Sequence, residues 1–234
     1  MGITFHTQSP ATAQLISLSS DAVRTLAVVT RGYSQVYCEN IGAEEQADML
    51  AQLQRTALKG PLEFIQTIWL IKGVTRSFTH QLVRYRIGTE FVQESLRFSD
   101  KSEPEFLVPP TVSADVNLLK RYKLTATEAV LGYRTLIGKG ISTEDARGLL
   151  PHSILTNVFF GCSLATFCHL FEQRTCCQAQ HGEWTPLVKS MREQLPEGLR
   201  RFVQYPWETG KPSCGFGASF DRPCKYADLF KVGL

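Results

Sequence analysis

The sequence predicts an α+β fold, and three observations carry that expectation. Stretches with helical apolar spacing are interleaved irregularly with short runs of strand-forming residues, so the strict alternation of a doubly wound parallel sheet is missing. Apolar residues make up 43% and charged residues 20% of the 234, ordinary proportions for a chain that buries a core. No apolar run reaches the ~18 residues that span a bilayer. The start, MGITFHTQSPATAQ, lacks a basic stretch followed by an apolar one, so no secretory leader is expected.

Taken in order, residues 13–18 (AQLISL) read as a strand. Ser19 or Ser20 can cap a helix from about Asp21 to Arg31, which Gly32 stops. Residues 43–58 place Met49, Leu50, Leu53 and Leu58 on one side of a second helix, ended by Gly60-Pro61. Residues 65–74 (IQTIWLIKGV) predict a strand of mixed burial, with Trp69 in the core. Thr75 opens a helix through about Ile87 whose inner face is Phe78, Leu82 and Val83. A loop at Gly88 leads to a short strand near Ser95–Phe98, and the charged, proline-bearing SDKSEPEFLVPP reads as loop. Ser113 starts a long helix to about Ile137. Ser142-Thr-Glu-Asp145 has capping-box spacing and opens a short helix that Pro151 closes. Residues 153–161 predict a strand, followed by helices over roughly 163–174 and 177–195. Residues 1–205 are expected to form a single catalytic domain, with 206–234 an irregular tail.

The net charge of +3 is too small to argue for a nucleic-acid-binding surface and better suits a small anion held by a few arginines. Seven cysteines, an odd number without a leader, suggest free thiols in a reducing, cytoplasmic setting. A zinc site drawn from Cys176, Cys177, Cys214 and Cys224 would need adjacent cysteines as co-ligands, which is poor geometry, so no metal is expected.

The stretch richest in chemistry is residues 79–98 (THQLVRYRIGTEFVQESLRF). On a helix, Gln81 and Arg84 share a face, and Gln93, Ser95 and Arg97 fall on one side of a strand. Amide, hydroxyl and guanidinium donors together suit a phosphate and a sugar. From charge pattern alone, a solvated helix face is the competing reading. Arg174, beside Glu172 and Gln173, could equally be a helix C-terminal cluster that offsets the dipole.

Longer patterns weigh against those blander readings. Residues 62–86 (LEFIQTIWLIKGVTRSFTHQLVRYR) resemble the segment xEHxxFxFxIxGVSRxxxHQLVRHR, which marks the flavin-dependent thymidylate synthases, and Ser95-Leu-Arg97-Phe98 resembles that family's SxRY. Residues 29–34 (VTRGYS) are similar to its AARVS, and residues 145–151 (DARGLLP) to its DARxxLP. Residues 167–174 (FCHLFEQR), followed by Gln178-Ala-Gln180, resemble its HFxxxR and AQ. The likeness covers about residues 13–195. The chain departs from the pattern at Tyr85 and Phe64, where the family has histidines, and at Leu58 and Ala165. It has one extra residue before Ser95, and the family's AQxEIR is altered to Ala179-Gln180-His-Gly-Glu183-Trp184.

The resemblance implies a flavin-dependent thymidylate synthase-like fold, a small mostly antiparallel sheet with flanking long helices. It implies an enzyme that moves a one-carbon unit from methylenetetrahydrofolate to C5 of dUMP, with FAD reduced by NADPH as the hydride source. Gln81, Arg84, Gln93, Glu94, Ser95, Arg97, Arg147 and Arg174 would hold the nucleotide. Arg84, Tyr85, Arg86, Gln93, Ser163 and His169 would line the flavin. Arg174 would be catalytic, lying against the uracil ring and stabilising charge that develops on it. A homotetramer is implied. A C5-methylase acting on UMP or another uracil nucleotide is the alternative, and a non-catalytic nucleotide- or nucleic-acid-binding relative is a second one.

Overall fold

The computed structural model describes residues 2–176, 182–206 and 208. In chain order its elements are β1 (Thr4–His6), β2 (Thr12–Leu18), α1 (Ala22–Arg31), α2 (Ala43–Arg55), β3 (Gln66–Thr75), α3 (Arg76–Leu82), β4 (Thr89–Gln93) and β5 (Glu105–Leu107). These are followed by α4 (Pro110–Ser113), α5 (Val116–Gly138), α6 (Thr143–Ala146), β6 (Leu155–Ser163), α7 (Leu164–Thr175), α8 (Trp184–Glu193) and α9 (Glu197–Arg200). The mixture of helices with a small sheet is the expected α+β class. No helix among the described residues is long and apolar enough to cross a membrane. The tail expected from residue 206 lies, apart from Pro206 and Glu208, outside the described residues.

β2, β3, β6 and β4 are neighbours in that order in a four-stranded sheet. Ser19 N–H donates to Gln66 O, Arg76 N–H to Ile154 O, Ser163 N–H to Gly88 O and Glu94 N–H to Asn157 O. Gly88 and Glu94, flanking β4, meet Ser163 and Asn157 of β6, and Thr67 and Arg76 meet Cys162 and Ile154, so β6 runs antiparallel to both β4 and β3. β3 and β6 alternate in burial: Thr67, Trp69 and Ile71 on one strand, and Thr156, Val158, Phe160 and Cys162 on the other, point inward. This is the period of a half-solvated sheet.

Local chemistry sets the helix starts. Thr75 caps α3 by accepting from Phe78 N–H, Asp115 caps α5 by accepting from Asn117 and Leu118 N–H, and Ser142 caps α6 by accepting from Asp145 N–H. Several expectations are corrected here. Ser19 does not cap α1: its hydroxyl accepts from Gln66 N–H, tying β2 to β3, and Asp21 precedes the helix with φ 46°. The second helix stops at Arg55 rather than 58, leaving Leu58 exposed. The helix opened by Thr75 ends at Leu82, and Val83 is exposed. Within the segment read as loop, β5 pairs in parallel with β1, and Phe5 stacks on Phe106 at 5.6 Å.

The chain divides into two compact units. The first takes the described residues of Met1–Thr12, Ile71–Arg84 and Phe91–Phe159; the second those of Ala13–Leu70, Tyr85–Glu90 and Phe160–Leu234. The core of unit 1 is Phe106, Val130, Tyr133, Ala146, Leu150 and Ile154. Unit 2 is built around Trp69, which stacks on Phe167 at 5.6 Å. The Trp69 indole N–H donates to Thr67 Oγ1 (2.9 Å), and that hydroxyl donates to Cys162 O (3.0 Å), so the buried polar atoms are matched.

Burial pushes the Cys162 thiol up to about 12. Native protein treated with iodoacetamide at pH 8 is therefore expected to be alkylated at exposed Cys38 and spared at Cys162, as peptide mapping would show. Because the folded state favours the neutral thiol, its contribution to stability is intact below the unfolded value of 9.0 and is lost as pH rises towards 12.

Candidate active site

The expected nucleotide ligands other than Arg174 all fall in unit 1. Gln81 lies near the end of α3, and Arg84 is exposed two residues beyond it, its N–H donating to Gln81 O at 3.2 Å. The two are therefore not on a continuous helix face, as the sequence suggested, but on a helix end and the turn that closes it. Gln93 ends β4, and its side-chain amide donates to Thr79 Oγ1 of α3 at 2.9 Å. The strand stops there. Ser95 to Ser99 form a turn, in which Phe98 N–H and Ser99 N–H both donate to Ser95 O. The alternation that would place Gln93, Ser95 and Arg97 on one strand face is thus absent. The Ser95 hydroxyl accepts from Arg97 N–H (3.3 Å) and so shapes the turn.

The turn delivers Arg97 to α6. Its Nε and Nη2 reach the two carboxylate oxygens of Glu144 at 2.9 and 3.0 Å, a bidentate pair about half exposed on both sides. Thr143 Oγ1 donates to Arg97 O, which anchors the turn on the same helix. Arg147 joins the group: its Nε donates to Glu144 O at 3.0 Å, and Nη2 stands 4.0 Å from Glu144 Oε1. One carboxylate thus faces two guanidiniums, leaving a net positive surface.

Arg76 adds to that charge, although the motif likeness does not mark it as a ligand. Its Nη2 donates to Glu94 O at 2.9 Å, while its Nε is buried with no hydrogen-bond partner among the described residues. Burial holds its pKa below the usual guanidinium value; nearby Glu94 opposes that, and Arg147 adds to it. The signal was present in the stretch Gly73-Val-Thr-Arg76, within the segment that carries the resemblance. Glu94 itself is engaged inside unit 1. Lys101 Nζ is 2.5 Å from one carboxylate oxygen and Thr156 Oγ1 donates to the other at 3.4 Å, at the edge of a cavity of about 300 Å³ that also includes Lys72 and Asn157.

The remaining expected site residues fall in unit 2. Tyr85 is nearly buried; its hydroxyl donates to Gln173 Oε1 at 2.8 Å, and its ring meets His169 edge-on at 6.1 Å. Gln173 Nε2 and His169 Nε2 are 2.9 Å apart, one turn apart on α7. Arg174 follows, with its guanidinium carbon 4.2 Å from the Trp184 ring centre and 5.4 Å from that of Tyr85. Burial raises the Tyr85 phenol above its ordinary pKa, and Arg174 opposes this through its charge and a hydrogen bond. Arg86, Ile87 and His169 are exposed. Ser163 is buried: its hydroxyl donates to Glu63 at 2.6 Å and accepts from Thr166 N–H at the start of α7. Gly88, at φ +60°, accepts from Ser163 N–H, so a left-handed residue lets the chain turn close against α7. Of the cysteines weighed for zinc, Cys176 is buried, and Cys177, Cys214 and Cys224 lie outside the described residues.

The family model for the thymidylate synthase complementing protein matches residues 11–198. The chain belongs to that family. Among its relatives, the flavin-dependent thymidylate synthase of Pyrococcus horikoshii is 31% identical over 187 residues, 78% of this chain and 76% of the relative. That of Nitratidesulfovibrio vulgaris is 29% identical over 67% of this chain and 68% of the relative. That of Pyrococcus furiosus is 32% identical over 65% of this chain and 64% of the relative, just under two thirds of its length. Flavin-dependent methyl transfer is thus the chemistry of the family, and its members are enzymes. Solved structures agree on the fold. A UMP/dUMP methylase, PolB from Streptomyces cacaoi bound with 5-Br dUMP, superposes with TM-score 0.70 at 18% identity, covering 87% of this chain and 98% of that one. Thymidylate Synthase X from Helicobacter pylori with FAD and dUMP gives 0.61 at 17% identity, covering 82% and 96%.

Proposed function

We propose that this chain, with residues 1–205 as one catalytic domain, converts dUMP to dTMP in the cytoplasm. The one-carbon unit would come from methylenetetrahydrofolate. Bound FAD, reduced by NADPH, would supply the hydride that completes the methyl group. The observation that carries the reading is a guanidinium, Arg174, whose carbon lies 5.4 Å from the ring centre of Tyr85 and 4.2 Å from that of Trp184, in a chain of this family. A fixed cation of this kind stabilises negative charge that develops on a uracil ring and so lets C5 act as nucleophile.

On this reading Arg97 and Arg147, with Arg84, Gln81, Gln93 and Ser95, bind phosphate and sugar, and Arg76 adds positive charge. Glu94 holds Lys101 and the end of β4 in place. The donor set also fits a flavin dinucleotide: Arg86 offers an exposed cation for a pyrophosphate, and His169 with Ile87 an exposed ring and apolar side chain for an isoalloxazine. Ser163 supports that wall from behind, through Glu63 and α7. The expected homotetramer would bury exposed apolar residues such as Leu124 and Leu131, seven residues apart on one face of α5.

The testing experiment assays methyl transfer to dUMP and UMP side by side, with FAD, NADPH and methylenetetrahydrofolate supplied. Product from dUMP is expected. Product from UMP alone would make the chain a UMP methylase, and product from neither would refute the reading. Glu144→Gln is expected to tighten dUMP binding about two- to fivefold, because a carboxylate near a phosphate site costs roughly 1 kcal/mol in a solvated setting. Stability should move by less than about 0.5 kcal/mol, since the pair it breaks is half exposed. Isothermal titration and urea unfolding would check both.

A further inference from the structure

Two places where this chain departs from the family pattern meet on one side chain. Tyr85 stands where the pattern has histidine, and Trp184 lies in the stretch that replaces AQxEIR. In unit 2 their rings are 5.4 and 4.2 Å from the Arg174 guanidinium carbon. We propose that Tyr85 is a positioning residue that, with Trp184, clamps Arg174 in the orientation used against the uracil ring, and that it does not serve as a face for the flavin. The proposal rests on the reading above for what Arg174 does.

Tyr85 is nearly buried, so its ring has little surface to offer a bound molecule. Its hydroxyl donates to Gln173, the residue before Arg174, and Gln173 reaches back to His169. On the far side, Thr185 Oγ1 donates to Arg174 O at 2.8 Å, fixing the backbone end of the same residue next to Trp184. Arg174 is thereby held at its main chain, through its neighbour and over two ring faces. Cation–π contact favours a guanidinium lying over an aromatic face, and desolvation strengthens it. Burial keeps the phenol protonated, so it remains the donor that Gln173 Oε1 needs. A histidine here would be shorter than the phenol and, when protonated, would be repelled by Arg174.

The test is a double-mutant cycle of Tyr85→Leu with Arg174→Lys, read by kcat, by the Kd for dUMP and by bound FAD. Tyr85→Leu alone is expected to lower kcat about tenfold, with dUMP affinity changed less than about threefold and FAD retained. Tyr85→Phe, which keeps the ring, should turn over about fivefold faster than Tyr85→Leu. In the Arg174→Lys background, Tyr85→Leu should cost less than about twofold, because the group it positions is already gone. Equal slowing in both backgrounds would overturn the proposal, as would loss of FAD with normal kcat once FAD is restored. If the wild-type enzyme methylates neither dUMP nor UMP, the functional reading fails. The clamp is then decided by the same four proteins in urea, where non-additive midpoints support it and additive midpoints refute it.

Discussion

Arg174→Ala is expected to lower kcat for dUMP methylation by about 100- to 1,000-fold, the range seen when a preorganised charge-stabilising donor is removed. Two features of the structure favour an effect at this end of the scale. The guanidinium is only part-exposed and lies over the Trp184 and Tyr85 rings, so it is fixed before any charge develops. It also stands apart in the chain from the arginines assigned to phosphate, so its loss should leave dUMP affinity within a few-fold and appear in kcat. Folding should survive. The two ring contacts are worth roughly 1–2 kcal/mol together, against a typical total of about 5–15. Steady-state kinetics beside a thermal melt would check this, and turnover within threefold of wild type would remove Arg174 from the mechanism.

Trp69→Ala should have the largest effect on stability, a loss of about 3–5 kcal/mol. Trp69 is fully buried and stacked on Phe167, and its indole N–H supplies the hydrogen bond accepted by Thr67 Oγ1. The alanine leaves a cavity beside β3 and removes that donor. Urea unfolding would measure the loss. A change below about 1 kcal/mol would mean that unit 2 can collapse around the gap.

What could be read from the sequence was what neighbouring residues decide. Thr75 and Ser142 cap helices because their hydroxyls meet N–H groups three residues on, and β3 and β6 show their burial in the period of their own side chains. The misread elements depend on distant partners. Apolar spacing carries the helix from Thr75 through Ile87, but it stops at Leu82, and Tyr85 is instead drawn towards Gln173, 88 residues away. β5 sits in a charged, proline-bearing run and exists because it pairs with β1, where His6 meets Glu105 across 99 residues. The Ser95 segment looked like a strand by alternation, yet its hydroxyl bonds a neighbouring N–H and turns the chain.

The site was legible in the same uneven way. Arg97 and Arg147 were named from motif likeness, and the structure joins them through Glu144, a residue the motifs did not mark. Arg76 needed the structure, since a buried guanidinium atom cannot be told from a solvated one by spacing. The surroundings of Arg174 needed it too. Tyr85 and Trp184 are about a hundred positions apart and share no motif, and only folding places both on one guanidinium.

The most direct test of the central claim is a crystal structure of the enzyme with dUMP and FAD bound. The account predicts the phosphate within hydrogen-bonding distance of Arg97 and Arg147, and the uracil ring against the guanidinium of Arg174, whichever subunits of the assembly supply them. A nucleotide bound away from Arg97, Arg147 and Arg174 would contradict it.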